Sequence, residues 1–540
     1  MAVEAVASQR TLIRSTVIVF LGFTIARVIS LVQTVLITEV FGIGADWDRF
    51  VAANQLPETI VLILGGVTLT TALMPFFSGL LARDERAHAW RLASRALNTV
   101  FLASCLVSLI AFIFASALMQ SVVAPGFSPE GIAESAALMR LLLIATLIFS
   151  ISGATMGLLQ SHNRFVAPAL APIMYDVGIF FGAGFLVQPF GVYGIAYGTL
   201  IGAALHFAIQ VPALIRVGAR WVPELGWNDP DVRRVFMLML PRILDVGVFT
   251  FTFTMAINFS SRLGEGAVSA FSWGWRLMQI PQTLIGSAMA VVIFPTLAAL
   301  SALNDVDGKR NAMVGALKFI LIGTIPSAIG LLLVGRPTLS LLEGGAFDAE
   351  ATNLVYVALR GFALGIIIHS ILEVAARSFF ADKDTWTPLL ITSGGAVINL
   401  AFAWVFSGLA SGAPDPRGVE AITWGNTLGV TFEVIMLLLI LRRRWDGIQE
   451  NALAMTTVKT VAASLVMALA MVIFDALWAS LGLLGQGRLL TIVQIVIQVG
   501  IGVVAFGLAA WLLGLTEFKT ILTRVLSFRD KHSKVEVAPT

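Results

Sequence analysis

Two arginines, Arg27 and Arg276, lie deep in long apolar stretches, IVFLGFTIARVISLVQTVLI and FSWGWRLMQIPQTLIGSAMAVVIF. A guanidinium at membrane depth costs about 2.5–3.5 kcal/mol on insertion scales and is tolerated where it faces protein interior or a watery cavity. Neither arginine has a carboxylate within a helical turn, so its partner comes from elsewhere in the fold or is a bound anion. Arginine suits a phosphate, because its planar fork donates two parallel hydrogen bonds and stays charged at any depth. Gln33, Asn54, Gln55, Gln279 and Gln282 lie nearby in sequence and offer hydrogen bonds to sugar or amide groups. They serve equally well as polar glue between helices.

Other charges in apolar stretches have local explanations. Arg242 and Asp245 stand at i,i+3 and Glu373 and Arg377 at i,i+4, spacings at which each pair can neutralise itself on one helix. Arg140 and Asp475 lie close enough to stretch ends to reach the headgroups. Asp245 with Asn399 is the candidate cation site, with a structural ion pair as the competing account. Catalytic chemistry finds little support. The five histidines are scattered without metal-ligand spacing, Cys105 is alone, and neither a GxxxxGK phosphate loop nor a GxSxG turn occurs. The chain is read as a non-enzyme without cofactor, with Na+, H+ or the membrane potential as candidate energy sources.

The elements that must position these residues are transmembrane helices. Of 540 residues, 58% are hydrophobic and only 12% charged, about half the charge of a soluble domain, and mean hydropathy is +0.90. Apolar runs of 20 or more residues recur along the chain, which predicts an all-α polytopic membrane protein rather than a barrel of short alternating strands. Fourteen spans are counted, the first near 13–40 and the last near 489–514. Alternate loops carry the cations, among them Arg83, Arg86, Arg164, Arg216, Arg220 and Arg442 to Arg444, whereas SVVAPGFSPEG and VQPFG have none. By the positive-inside rule both termini are cytoplasmic. No basic run is large enough to bind nucleic acid.

The chain also reads as a duplication. Pro75 with Pro295, and Pro168 with Pro388, share an offset of 220 residues, and HNRFVAP is echoed by KDTWTP. The expected organisation is a six-helix bundle over 1–220, a second over 221–445, two added spans over 446–515 and a basic tail over 516–540. Such parallel repeats are a transporter plan with substrate near the midplane. Pro57 with Gly65 and Gly66, and Pro281 with Gly286, interrupt corresponding segments of the two repeats. Paired interruptions point to a transport site and supply hinges.

FGIGADWDRFVAANQLP, LLQSHNRFVAPALAPIMYDV, GEGAVSAFSWGWRLMQIPQTLIGSAMAVVIFPTL and RSFFADKDTWTP together carry a resemblance. From about residue 20 to 430 the chain resembles the MurJ (MviN) lipid II flippases of the multidrug/oligosaccharidyl-lipid/polysaccharide exporter superfamily. The resemblance implies fourteen helices around a cationic cavity, a C-terminal pair forming a groove for the lipid tail, and movement of a polyprenyl-pyrophosphate-linked glycan, lipid II first, across the cytoplasmic membrane for peptidoglycan synthesis. It places Arg27 and Arg276 on cavity arginines and Asp48 on the family's acidic position. Departures accompany it. Gln33 replaces a second arginine, Val61 and Leu62 an arginine pair, and Gln279 and Gly66 two glutamates. Arg242 is read as returning one charge, outside the family pattern. Another lipid-linked glycan, or a small molecule exported on the same scaffold, stands as the alternative cargo. The expected partners are that lipid-linked glycan, membrane lipids and cell-wall synthesis machinery, with the chain itself a monomer.

Overall fold

A computed structural model describes Ile29 and residues 32–162, 164–482 and 487–515. Arg27, most of the first predicted span and the basic tail therefore lie outside the described residues. What is described is helical. Thirteen helices are long and apolar enough to cross a membrane, and Val32–Phe41 is a shorter apolar helix. The fourteen predicted spans are thus present, the first of them in part.

The short helix is α1 (Val32–Phe41). The second span is α2 (Ala45–Leu64) continued by α3 (Gly66–Ala82), and α4 (Arg86–Ile113), α5 (Pro129–Ser161), α6 (Val166–Phe181) and α7 (Tyr193–Ala208) complete the first repeat. The second repeat holds α8 (Pro230–Ser261), α9 (Ala267–Gln282) continued by α10 (Ala288–Ala302), α11 (Val306–Ser340), α12 (Ala349–Ala381), α13 (Trp386–Phe406) and α14 (Val419–Arg444). The added pair is α15 (Glu450–Ser480) and α16 (Arg488–Leu512). Local signals set several of the starts. Ser128 and Asp229 accept from the N–H of Gly131 and Asp231, each followed by a proline at the first helical position, and Asp305 accepts from Gly308. Such caps satisfy the donors a helix leaves bare, and proline loses nothing there.

Packing divides the chain into two compact units, Met1–Ser269 with Gly344–Asp348, and Ala270–Glu343 with Ala349–Thr540. In the first, α5 is the central helix, touching α2, α3 and α4, with α6 against α7. A core of Leu69, Phe77, Trp90 and Leu158 reaches Val232 and Met239 of α8. Polar bonds fasten α8 to the same unit: Gln55 Nε2 donates to Thr254 Oγ1 at 3.0 Å and Asn258 Nδ2 to Val122 O at 2.7 Å. The packing boundary accordingly falls after α8, whereas the sequence repeat puts α8 with the second half.

The segment Gly344–Asp348 joins the first unit through Ala346 N–H, which donates to Glu39 O at 2.9 Å. Gly42 and Gly345 permit this approach. Both have positive φ, +57° and +58°, and a Cβ on either would lie within 2.2 Å of backbone oxygen. In the second unit α12 lies between α11 and α14, and α14 packs on α13. The α15–α16 pair rests on α11 through Met467, Met471, Phe506 and Ile322.

Candidate functional site

The second unit places Arg276 on an open face. Arg276, Gln279 and Thr283 follow one another at i, i+3 and i+7, and all three are exposed. That spacing puts them on one helix face. The opposite face is buried: Gly274 and Met278 pack on Ala358 and Gly365 of α12. The Arg276 guanidinium lies 5.7 Å from the Trp273 ring centroid, a cation–π contact that leaves its hydrogen-bond donors available to an anion.

Behind that face stands a second polar group. Arg377 NH2 donates to Glu373 Oε2 at 3.1 Å, as the i,i+4 spacing predicted. His369, one turn earlier on α12, meets Asn426 Oδ1 of α14 at 3.0 Å and packs edge-on against Trp275. Glu433 is buried between α14 and α13, where Thr392 Oγ1 donates to it at 3.1 Å.

In the first unit, α2 also has an open polar edge. Asn54 Nδ2 donates to exposed Glu58 at 3.2 Å, and Leu62 continues the edge a turn later. Glu58 was not singled out in the sequence, although its i,i+4 relation to Asn54 was visible there. Gln55 faces the other way, into the unit. Gln33 of α1 is half-buried, and its Oε1 is enclosed with no partner among the described residues. Of the arginine pair that the family pattern led one to seek at 61 and 62, the structure has a half-buried valine and an exposed leucine.

Asp48 sits elsewhere than on an open face. It is 2% exposed, and its carboxylate accepts from Gly266 N–H at 2.8 Å, from Ser269 N–H at 2.7 Å and from the Ser269 hydroxyl. It thereby caps the start of α9. Glu265 returns the arrangement by accepting from Ala45 N–H at the start of α2, at 3.0 Å. Each second span of a repeat thus has its N-terminus held by a carboxylate from the other repeat's sequence. Carboxylates at helix N-termini are favoured by the exposed N–H groups and the helix dipole.

Arg242 and Asp245 form the predicted i,i+3 ion pair at 3.2 Å, half exposed. Asn399 is buried where α13 meets α14 and contacts Gly425 and Gly429. Asp245 belongs to the first unit and Asn399 to the second. Among the described residues no three His, Cys, Asp or Glu side chains gather as metal ligands. Arg140 donates to Phe112 O at 3.1 Å, and Asp475 accepts from Gln494 across α15 and α16 at 2.6 Å.

Both predicted hinges are interruptions of helix. Gly65 breaks the second span with an extended backbone (φ −78°, ψ −173°), and a Cβ there would meet Val61 O at 2.2 Å. Pro57 lies inside α2 without breaking it, and Gly66 opens α3. In the second repeat, Pro281 is the penultimate residue of α9, and a π-turn, Thr283–Ser287, joins it to α10. Gly286 is buried within that turn.

The second unit also holds an apolar cleft of about 590 Å³. Leu321 and Ile325 of α11, Leu364 and Ile368 of α12, and Leu453 and Val461 of α15 line it, and Thr457 supplies the lone hydroxyl. A hydrocarbon chain fits such a lining, and a polar headgroup does not.

The lipid II flippase MurJ family model matches residues 37–493. The chain belongs to that family. Among its relatives, the lipid II flippase MurJ of Burkholderia cenocepacia is 27% identical over 437 residues, covering 78% of this chain and 82% of the relative. A probable lipid II flippase MurJ of Bdellovibrio bacteriovorus is 23% identical over 524 residues, 95% of this chain and 97% of that one. The fold is similar to a solved lipid II flippase MurJ in an inward closed conformation, with TM-score 0.75 and 20% identity over 94% of this chain and 99% of that one. It is also similar to an inward-facing multidrug resistance MATE transporter of the MOP superfamily, with TM-score 0.65 and 16% identity over 79% of this chain and 96% of that one. The family assignment secures the all-α polytopic membrane fold read from hydropathy.

Proposed function

We propose that this chain flips lipid II, a polyprenyl-pyrophosphate-linked glycan, across the bacterial cytoplasmic membrane for peptidoglycan synthesis. The observation that carries the site is the open face formed by α9 and the start of the π-turn, on which Arg276, Gln279 and Thr283 present a cation and two hydrogen-bonding groups within a membrane span. Arg276 binds the pyrophosphate together with Arg27, Gln279 and Thr283 bond the sugar, and the tail lies in the apolar cleft beside α15. Gln33 and Arg242 contribute further polar contacts. Compensation of charge decides the cargo class: an anion offsets the cost of holding arginine in the membrane, and a neutral solute leaves it standing.

Movement is by alternating access. The second span of each repeat bends at its interruption, Gly65–Gly66 or Pro281–Gly286, and release of the Asp48 cap frees the start of α9. Resetting draws on the membrane potential, worth about 2.3 kcal/mol per charge per 100 mV, or on a Na+ or H+ gradient. Both termini lie in the cytoplasm, on the strength of the loop cations. The protein works as a monomer beside the cell-wall synthesis machinery.

Purified full-length protein in vesicles tests this reading. It should exchange labelled lipid II between leaflets, and Arg276→Ala or Arg27→Ala should abolish exchange while the protein still inserts. Wild-type rates in both variants would remove the pyrophosphate site. Preference for a different polyprenyl-linked sugar would keep the mechanism and change the cargo. The likeness to MATE transporters favours one second reading, small-molecule export, which predicts drug efflux without lipid II exchange.

A further inference from the structure

The π-turn of the eighth span is the least regular feature along the α9–α12 contact, and its register explains why it is there. Gly274 packs on Ala358, Met278 on Gly365 and Gly286 on Ser370, so three successive contacts join the eighth span to α12. From Gly274 to Gly286 a regular α-helix makes about 3.3 turns, which would swing Gly286 roughly 120° off the α12 face. The i→i+5 bonding of Thr283–Ser287 absorbs one extra residue and returns Gly286 to that face. Pro281 contributes by removing the N–H that would bond the Leu277 carbonyl.

The turn is seated on α12. A Cβ at Gly286 would fall 2.5 Å from Ser370 Oγ and 2.8 Å from Ser370 Cα, so no other residue fits without moving a helix. Beside it, Gln282 Nε2 donates to Ser287 Oγ at 3.3 Å, and Ser287 Oγ donates to Glu373 Oε1 at 3.4 Å. Arg377 holds the other oxygen of that carboxylate. These are long bonds, suited to a contact that opens. The first repeat puts its own interruption at the same place. With the 220-residue offset, Gly65 corresponds to position 285 and Gly66 to Gly286, yet the break there is an extended glycine rather than a π-turn. Two different local solutions at one repeat position are what a required joint leaves behind.

We infer that the eighth span works by interconverting this π-turn with α-helix, which turns the Arg276 half by about one residue, roughly 100°, against an α10 half that stays seated on α12. Ser370 and Glu373 are positioning residues that hold the π form through Gly286 and Ser287. The inference rests on the flippase reading for its purpose, and its tests separate the two.

Deleting Leu284, which is 73% exposed, removes the extra residue and locks the joint as α-helix while both flanking faces keep their register. In vesicles the full-length deletion variant should bind lipid II within about threefold of wild type yet exchange it at least about tenfold more slowly. Exchange near the wild-type rate overturns the inference. Should the deletion variant not insert, Gly286→Ala decides. It should lose exchange while still binding lipid II within about threefold of wild type, because a Cβ there meets the Ser370 backbone as well as its side chain; exchange near the wild-type rate overturns the inference. Glu373→Gln, which keeps an acceptor for Ser287, should retain exchange where Glu373→Ala loses it. Equal loss in both removes Glu373 from the device. Spin labels on Ile280→Cys and Leu364→Cys, with Cys105→Ser, need no cargo: two distance populations are expected in the full chain and one after deletion. A single population in both overturns the inference, whereas absence of lipid II exchange by wild type overturns only the flippase reading.

Discussion

Arg276 was noticed as a charge in an apolar stretch and Asp48 as a family position, and the structure puts them in opposite settings, one open and one buried. Arg276 is exposed on α9 beside Trp273, the setting the proposed pyrophosphate contact requires. Arg276→Lys keeps the charge but loses the bidentate fork, and lipid II binding by titration should weaken by about tenfold, with folding unchanged. Asp48 is buried on three donors at the start of α9. Asp48→Ala leaves those donors unpaired and should cost about 1–3 kcal/mol, read as a lower unfolding temperature in detergent. A third carboxylate reports on pH. Burial alone would raise the pKa of Asp384, but hydrogen bonds from Arg444 and from the Thr387 N–H and hydroxyl outweigh it and hold the group below the usual carboxylate range. A depressed folded pKa gives stability that is complete above the unfolded value of about 3.9 and is lost as the pH falls through the folded one. Wild type should therefore lose thermal stability on acidification below about pH 4 more steeply than Arg444→Gln, in which that bond is absent at every pH. Parallel curves for the two proteins would show that the pair contributes nothing.

Helices α6 and α7 approach each other backbone to backbone. A Cβ on Gly178 would lie 2.2 Å from Gly202 N and Cα, and one on Gly202 would lie 2.5 Å from Tyr175 O. Backbone against backbone cannot give way as a side-chain tip can, so Gly178→Ala should destabilise by about 1–3 kcal/mol. Gly184, with open space around it, is the control, and its alanine variant should stay within about 0.5 kcal/mol. Thermal unfolding of both variants in one detergent checks the contrast. These contacts also show what the sequence could and could not display. Long apolar runs made the spans legible, because a bilayer demands about 20 apolar residues whatever the neighbours do. The π-turn was not legible: apart from the hydroxyls of Thr283 and Ser287, TLIGSAMA is small or apolar throughout, so no hydrophobic stripe marks the extra residue, and Pro281 announced only that something breaks there. The allegiance of α8 to the first unit was hidden for a related reason. It depends on single bonds such as Gln55 to Thr254 and Asn258 to Val122, which join residues about 140 to 200 positions apart in a pattern that repeats in neither half. Asp48 was legible as a family position, but its capping of α9 depends on Gly266 and Ser269, more than 200 residues away.

For the whole molecule, two features beyond the duplicated repeats can be tested together, the sidedness and the added pair. Reporter fusions after Gly126 and after Arg444 should report opposite faces of the membrane, with the latter cytoplasmic, because Arg442, Arg443 and Arg444 form the densest cationic loop. Truncation after that loop removes α15 and α16. The pair rests on α11 through Met467, Met471 and Phe506, and these contacts bury no residue of the open α9 face, so the shortened chain should still insert and still bind a soluble pyrophosphate-sugar headgroup. The cleft is a different matter. Leu453, Thr457 and Val461 of α15 form one wall of it, and without that wall a hydrocarbon tail bound there as proposed would lose its seat against α11 and α12. Each buried CH₂ is worth about 0.8 kcal/mol relative to water, but between lipid and protein the gain is mainly of packing and guidance. Loss of the wall should therefore act on rate more than on affinity. The truncated protein is expected to exchange a short-tailed lipid II analogue within about threefold of the full chain while slowing full-length lipid II by at least tenfold. Equal slowing of both analogues in the vesicle assay would place the role of α15 and α16 outside the handling of the tail.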